Sequence, residues 1–395
     1  MNRYKIKYDT VVELLFWMTL LLFSTHDSLI RLIPMIPWRS IEYLSLLIFV
    51  ILAIISKKRN LKIIPFLIFI YAIVIISILF GTEQQIAFIK DKFLTIPSFI
   101  RLWVYLILFS QINYKKINKG ILSIAYINML LLIITTVNGL YSSVGRDINY
   151  LGIGMTGAVW IPIIIQAAFK SKNKKKQIIY IISSIIFSVF ILIYGNRGSI
   201  LAIFLFMVYC IFHYTSINKK IWILVLLTIL FIIIFYNNDA ILNLIIKIVD
   251  SFGVGSRNLH LLLNNQITYS THRVDQIWVN VYTGIKENWL TGRGLCYDRV
   301  INGSEDIYAH NLILEIWLTF GVIFGSILLI TYFMKGIKLC FDKKNEEMSN
   351  LIAPFFITSS ALLMFNSSFC QFSFFWIFYG IILSQRNEKK KVGEK

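Results

Sequence analysis

Three stretches in the second half of the chain carry residues that could do chemistry on an anionic substrate. The first is YGNRGS at residues 194–199, where Asn196 and Arg197 lie between two glycines. Glycines let the backbone turn tightly, and Ser199 can cap the next helix. We therefore expect Arg197 to lie near a helix N-terminus, a position that suits an anion. The alternative is an arginine that snorkels to lipid headgroups.

The second stretch, AHNLILEIWLTFGVIFG, occupies residues 309–325, with His310 and Asn311 at its start and Glu315 about one turn later. A histidine titrates at about pH 6.5, and a helix N-terminus disfavours its charged form. We therefore expect His310 to be a neutral base at pH 7. A glutamate within a membrane span is costly and indicates a functional site. The alternative is that His310 is an interfacial histidine without a role.

The third feature is a pair of arginines in the polar segment 237–310. Arg273 precedes an apolar stripe with the period of an amphipathic helix, and Arg293 lies between two glycines in a TGRG turn. A guanidinium group binds phosphate oxygens bidentately, which makes both residues candidates for binding an anion. The alternative for Arg273 is an exposed ion pair with Asp275 or Glu287.

Histidines and cysteines do not indicate a metal site. The other histidines stand apart from one another and from any patterned carboxylate, and the four cysteines have no CxxC spacing. We therefore expect neither a metal nor another cofactor.

The composition requires that membrane-spanning helices position these residues. Of 395 residues, 57% are hydrophobic and 15% are charged, whereas soluble proteins have roughly 45–50% apolar and about 25% charged residues. This excludes a soluble enzyme, a disordered chain and a fibrous repeat. We predict an all-α polytopic membrane protein whose apolar surface is covered by lipid.

Twelve apolar runs approach the length of about 20 residues that a helical span needs. They occupy residues 10–25, 41–56, 61–80, 94–111, 120–138, 151–169, 177–194, 199–214, 220–236, 311–334, 350–367 and 371–385. The number falls to eleven if the pair around Gly195–Gly198 is a re-entrant turn. Gly321 and Gly325 in the tenth run have the spacing of closely packed helices.

Basic clusters occupy every second connection and both ends of the chain. By the positive-inside rule, these connections and both termini are cytoplasmic. This accounts for most of the formal net charge of +19 without nucleic acid. The cytoplasmic clusters are nearly all lysine, whereas eight arginines fall on the outer side. The arginines favour an anionic substrate at the outer face, and the alternative is pairing with local acids such as Asp298.

The predicted organisation has four parts. Residues 1–236 form nine spans, and 237–310 form a long, partly helical periplasmic or extracellular loop. Residues 311–385 form three spans, and 386–395 form a basic cytoplasmic tail. The apolar stripe in the loop runs from Val274 to Ile285, and we expect this helix to lie along the outer membrane surface.

Together these motifs resemble the O-antigen ligase and polymerase superfamily, polytopic glycosyltransferases of bacterial envelope polysaccharide synthesis. The resemblance rests on the NRG turn, the arginine that leads the loop helix, the TGRG turn, and the His310-Asn311 pair with Glu315 and Gly321 after it. It covers about the second half of the chain, and the first half matches only in hydropathy. The family commonly has a proline and then a Gly-x-Gly turn after the loop helix, whereas this chain has Trp289-Leu290 instead of the proline.

The resemblance implies a donor glycan carried on undecaprenyl diphosphate. Arg197 and Arg273 match the positions that hold the diphosphate, and His310 matches the proposed general base. Diphosphate is already a good leaving group that arginines can stabilise, so the transfer needs no metal. The further expected substrate-binding residues are Asn196, Arg293, Asn311 and Glu315.

The resemblance also implies where in the cell the protein lies and which reaction it catalyses. We expect a multi-pass protein of the bacterial inner (cytoplasmic) membrane that polymerises O-antigen or capsule by transferring the growing glycan to a lipid-linked repeat unit. The alternatives are a ligase that transfers the glycan to lipid A-core and a flippase for lipid-linked oligosaccharides. A flippase should show internal repeats and charges along a midplane path. The expected partners are the undecaprenyl-diphosphate-linked donor and acceptor and the lipid bilayer, with a chain-length regulator as a candidate and no nucleic acid.

Overall fold

The computed structural model describes residues 2–55, 62–141, 150–216, 247, 273–304 and 307–392. Within these ranges the regular secondary structure is helical and contains no β-strand. The helices alternate with short turns, and many are long and apolar. The chain is therefore an all-α polytopic membrane protein, as its composition predicts.

The α-helices of the described residues are numbered here in chain order. They are α1 Asn2–Ser24, α2 His26–Leu32, α3 Trp38–Ile55, α4 Ile63–Leu79, α5 Glu83–Ile89, α6 Ile96–Gln111, α7 Tyr114–Tyr141, α8 Tyr150–Lys170, α9 Lys174–Tyr194, α10 Arg197–Tyr214, α11 Val279–Glu287, α12 Tyr297–Ile301, α13 Leu312–Phe320, α14 Val322–Cys340, α15 Glu346–Phe365 and α16 Phe375–Val392. Short π-helical segments, Lys90–Leu94 and Arg273–Trp278, precede α6 and α11.

Seven helical segments among the described residues are long and apolar enough to cross a membrane, and a bent pair at α5–α6 raises the number to eight. Shorter apolar helices coincide with the predicted spans 10–25, 61–80 and 371–385. The predicted span 220–236 lies outside the described residues. Because α9 and α10 each meet the criteria for a span, the structure favours two spans here over the re-entrant alternative.

The predicted single span 311–334 is wrong in one respect, because the helix breaks at Gly321. This residue has a φ of 79°, and a Cβ there would clash with the carbonyl of Leu290. The next amide, of Val322, donates to the carbonyl of Trp289 at 2.6 Å. The break exists because the backbone of residues 289–290 docks here, so Gly321 does not serve the helix packing that its spacing with Gly325 predicts.

Helix α15 is the most enclosed of the described spans. Of its most apolar stretch, 83% is buried inside the protein, against 22% for α9 and for α14. It contacts α7, α8, α10, α14 and α16. The loop that follows α15 therefore begins at the centre of one end of the helix bundle.

The predicted amphipathic helix of the long loop is present as α11 and the π-helical segment before it. Its apolar residues Ile277, Val281 and Ile285 are buried against Ala309 and Leu318. The apolar stripe thus packs on α13 and the segment before it. The prediction of an amphipathic helix is confirmed, but the stripe faces protein and not a membrane surface.

Candidate functional site

The loop between α15 and α16, residues 366–374, joins the motifs singled out in the sequence. The side-chain amide of Asn366 donates to Asn196 Oδ1 at 2.5 Å, and the backbone carbonyl of Asn366 accepts from the Tyr308 hydroxyl at 2.8 Å. A Cβ on Gly198 would clash with the Asn366 carboxamide. The NRG turn and the segment that leads to His310 are therefore held at the same end of the bundle, on either side of one asparagine.

The NRG turn opens helix α10, but the prediction that Ser199 caps this helix is wrong. Asn196 is the N-cap, and its Oδ1 accepts from the backbone amide and the hydroxyl of Ser199, both at 2.9 Å. Its side-chain amide also donates to the carbonyl of Leu151 at 3.2 Å. These contacts occupy Asn196 in fixing the turn. Arg197 is the first residue of α10 and is half-buried, beside the positive end of an 18-residue helix.

His310 is held in a strained backbone conformation. Its φ is 50°, in the left-handed region that non-glycine residues rarely adopt. Both neighbouring peptides are clamped. The Ala309 amide donates to Asp298 Oδ2 at 2.9 Å, and Trp278 Nε1 donates to the Ala309 carbonyl at 3.0 Å. On the other side, Asn311 caps α13 by accepting from two backbone amides at 3.0 and 3.2 Å. Strain that is maintained in this way is characteristic of functional sites.

The His310 ring packs on Tyr308, with ring centroids 3.9 Å apart. The Tyr308 hydroxyl is fixed by Asn366, and the guanidinium of Arg299 lies 5.6 Å from the centroid of the Tyr308 ring. Tyr308 thus couples the orientation of the histidine to the loop 366–374 and to a buried charge.

That charge belongs to an ion pair that the sequence did not distinguish. Arg299 is 0% exposed and donates to Asp298 Oδ1 at 3.0 Å and to Ser368 Oγ at 3.2 Å. Burial disfavours the guanidinium charge, but Asp298, Cys296, Cys370 and Glu315 together outweigh this, so the pKa of Arg299 is raised above its ordinary value. For this arginine the alternative of pairing with a local acid holds. No local signal could have shown that the pair is buried.

Glu315 belongs to the same network. It is 2% exposed, accepts from the Ser368 hydroxyl through Oε1, and accepts from the Phe369 amide through Oε2 at 3.2 Å. Both of its oxygens thus hold the loop 366–374. This geometry favours a positioning role for Glu315 over the direct contact with substrate that its place in the sequence predicts.

Arg293 lies in a turn that docks on the helix break. Its amide donates to the carbonyl of Leu318 at 2.7 Å, and the Gly294 amide donates to that of Thr319 at 3.0 Å. Its side chain is exposed and pairs with Glu287 at 3.2 Å. The TGRG turn thus anchors the segment 273–304 on α13, and the arginine is paired with a neighbouring acid.

Arg273 begins the π-helical segment before α11, and its side chain lies outside what the structure describes. Through the loop 366–374 the structure brings together five of the predicted residues, Asn196, Arg197, His310, Asn311 and Glu315. Arg293 instead lies where the TGRG turn docks on α13. Among the described residues, no group of three or more histidine, cysteine, aspartate or glutamate side chains could hold a metal. The absence of a cofactor stays a prediction.

With this geometry established, the chain can be compared with known proteins. Residues 182–330 match the family described as O-antigen ligase. The matched segment contains all seven predicted site residues and supports the resemblance to the O-antigen ligase and polymerase superfamily. It is equally consistent with a ligase and with a polymerase. A comparison with curated proteins finds no match.

Proposed function

We propose that this protein is a membrane glycosyltransferase that polymerises a bacterial envelope polysaccharide. It would move a growing glycan from undecaprenyl diphosphate to a lipid-linked repeat unit at the outer face of the cytoplasmic membrane, with both termini in the cytoplasm. One observation carries the proposal. A half-buried arginine at a helix N-terminus, Arg197, and a strained histidine, His310, are held at the same end of the bundle through Asn366 and Tyr308.

Arg197 supplies what the leaving group needs. Diphosphate leaves with its negative charge, so the protein must stabilise that charge as the glycosidic bond breaks. A guanidinium fork at the positive end of α10 does this by bidentate hydrogen bonds and by the helix dipole. Arg273, at the start of the outer helix segment, would be a second donor to the same diphosphate.

His310 supplies what the nucleophile needs. The hydroxyl of the acceptor sugar attacks the anomeric carbon of the donor, its proton passes to the histidine, and the bond to the diphosphate oxygen breaks. A fixed histidine performs this kind of proton transfer near neutral pH. The clamps on Ala309 and Asn311 keep the imidazole in place, so little reorganisation is needed in the transition state.

A ligase that transfers the finished chain to lipid A-core would use the same residues, and it is the second candidate because the matched family is described as O-antigen ligase. The polymerase is preferred because the run of residues 309–325 resembles that of polymerases. A deletion strain separates the two. Single-repeat glycans on the core indicate a polymerase, whereas a glycan-free core with accumulating lipid-linked polymer indicates a ligase. A normal glycan pattern would contradict both.

A further inference from the structure

A polar cavity of about 280 Å³ lies at the same end of the bundle, lined mostly by residues of the first half of the chain and also by the loop 366–374. Its polar lining includes His26, Arg31, Glu42, Arg101, Asn128 and Gln371. The sequence motifs do not point to it, and none of the predicted site residues lines it. Its size is close to the lower end of small-ligand pockets, about 300–1,000 Å³.

One wall of the cavity carries a buried acid. Glu42 of α3 is 2% exposed, and its carboxylate contacts His26 Nδ1 at 2.5 Å. A carboxylate has acceptor capacity beyond one hydrogen bond and satisfies it in a low-dielectric site with hydroxyl or amide donors. A buried carboxylate at a cavity wall is therefore suited to binding hydroxyl groups.

Asn128 of α7 supplies an independent observation. It is 2% exposed and lines the cavity, and its side-chain amide donates to the Ile124 carbonyl and to Ser24 Oγ, each at 2.9 Å. Because a carbonyl only accepts, the amide nitrogen must face Ile124. The Asn128 Oδ1 atom is then left buried with no hydrogen-bond partner among the described residues. Buried acceptors are normally satisfied, so an unsatisfied one in a cavity wall calls for an explanation.

Two exposed arginines add hydrogen-bond donors to the lining of the cavity. Arg31 and Arg101 line the cavity, and neither forms an ion pair within the described part of the chain. On another side of the cavity, the Phe374 ring stacks on Tyr105 at 4.6 Å. Carboxylate and amide acceptors, guanidinium donors and an aromatic wall together match the hydroxyls and the apolar face of a sugar ring. An isoprenoid tail would leave these polar groups unsatisfied.

The cavity is also linked to the candidate active site. Gln371 and Ser373 line it, and both belong to the loop 366–374 whose Ser368 holds Glu315 and Arg299. Since Ser368 and Gln371 are three residues apart, their Cα atoms lie within about 11 Å of each other. A bound glycan could therefore span from the cavity towards the reacting end.

We propose that this cavity binds a sugar residue of the acceptor glycan and so positions the acceptor for transfer. The inference rests on the proposed function, since it takes the substrate to be a glycan. It assigns the first half of the chain a part in acceptor recognition, while the second half holds the diphosphate and the base.

Binding can be measured without turnover. The full-length protein in nanodiscs is titrated with the repeat-unit oligosaccharide released by mild acid from the surface polysaccharide of its natural host. A charge-assisted hydrogen bond corresponds to about a 10- to 100-fold change in affinity, so Arg101→Gln should raise the Kd by roughly that factor. A hydrogen bond to the neutral Asn128 amide corresponds to about a 2- to 10-fold change, so Asn128→Leu should raise the Kd by that smaller factor. Arg39→Gln is the matched control, because Arg39 is an exposed arginine at the start of α3 outside the cavity. It should change the Kd less than about twofold.

Equal Kd values in all three variants would overturn the proposal. The proposal would also be overturned if inorganic diphosphate displaced the oligosaccharide from the wild type but not from Arg101→Gln. The cavity would then be a site for anions. Because Arg101 is exposed, its variant tests the proposal even if Asn128→Leu fails to fold.

Turnover separates failure of the subsite from failure of the proposed function. With lipid-linked repeat units, Arg101→Gln should raise the KM for acceptor about tenfold and leave kcat nearly unchanged, whereas His310→Ala should lower kcat. Normal kinetics in Arg101→Gln together with loss of kcat in His310→Ala would refute only the subsite. If oligosaccharide binding depends on Arg101 but His310→Ala turns over normally, only the proposed mechanism is refuted.

Discussion

Replacing Asp298 by alanine should destabilise the protein far more than removal of an ordinary acid from an ion pair. Asp298 is 2% exposed and bonds both to the fully buried Arg299 guanidinium at 3.0 Å and to the Ala309 amide at 2.9 Å. The substitution leaves the buried Arg299 guanidinium without its carboxylate partner. It also leaves the Ala309 amide, next to His310, without a hydrogen-bond acceptor.

The magnitude follows from these contacts. Breaking a buried ion pair by removing one partner costs about 3–5 kcal/mol, and leaving the buried Ala309 amide unsatisfied adds about 1–3 kcal/mol. Adding Arg299→Met should recover part of the loss, because the second substitution removes the uncompensated charge. The double variant should therefore be less destabilised than the sum of the two single variants.

The chain offers a matched control in Asp91, which pairs with the adjacent Lys92 at 3.1 Å as Asp298 pairs with Arg299. The Asp91 side chain is 52% exposed, so Asp91→Ala should cost about 0–1 kcal/mol. Thermal unfolding of the full-length proteins in one detergent, followed by tryptophan fluorescence, gives the shifts in Tm, and the unfolding entropy of the wild type converts them to free energies. Equal shifts for Asp298→Ala and Asp91→Ala, or strictly additive effects in the double variant, would refute the buried pair.

The remaining predictions concern catalysis and topology. His310→Ala and His310→Gln should each lower polymerisation of lipid-linked repeat units by about 10²–10⁴-fold at normal membrane abundance, and full turnover in the glutamine variant would exclude the base. Arg197→Lys should abolish most activity because the bidentate fork is lost, whereas Arg293→Lys should be mild because this side chain is exposed and ion-paired; equal tolerance would mean that only charge matters. A reporter at Ser171 should be cytoplasmic and one at Asn302 external, and a cytoplasmic Asn302 would remove the mechanism. EDTA should leave turnover of the purified enzyme unchanged, and inhibition reversed by a divalent cation would contradict a metal-free transfer.

The helices could be predicted because the bilayer constrains them strongly. In lipid every backbone amide and carbonyl must be satisfied within the segment, so an apolar run of sufficient length has to be a helix. The amphipathic period of the segment 273–287 is likewise a local pattern, and the structure contains it. The glycines around Arg197 also predicted the turn that opens α10, although its capping residue is Asn196 and not Ser199. The residues that could do chemistry were visible for the same reason, since a charge beside an apolar run stands out by its cost.

Tertiary structure decided what each of those residues contacts. The oxygens of Glu315 are held by Ser368 and Phe369, more than fifty residues along the chain, and the break at Gly321 exists because the carbonyls of Trp289 and Leu290 arrive there. A hydrogen bond depends on distance and angle, and these are fixed only when distant segments pack. For that reason the sequence could place arginines at one end of the bundle, but only the packing of the loop 366–374 separates the buried, structural guanidinium of Arg299 from those that remain accessible to a substrate.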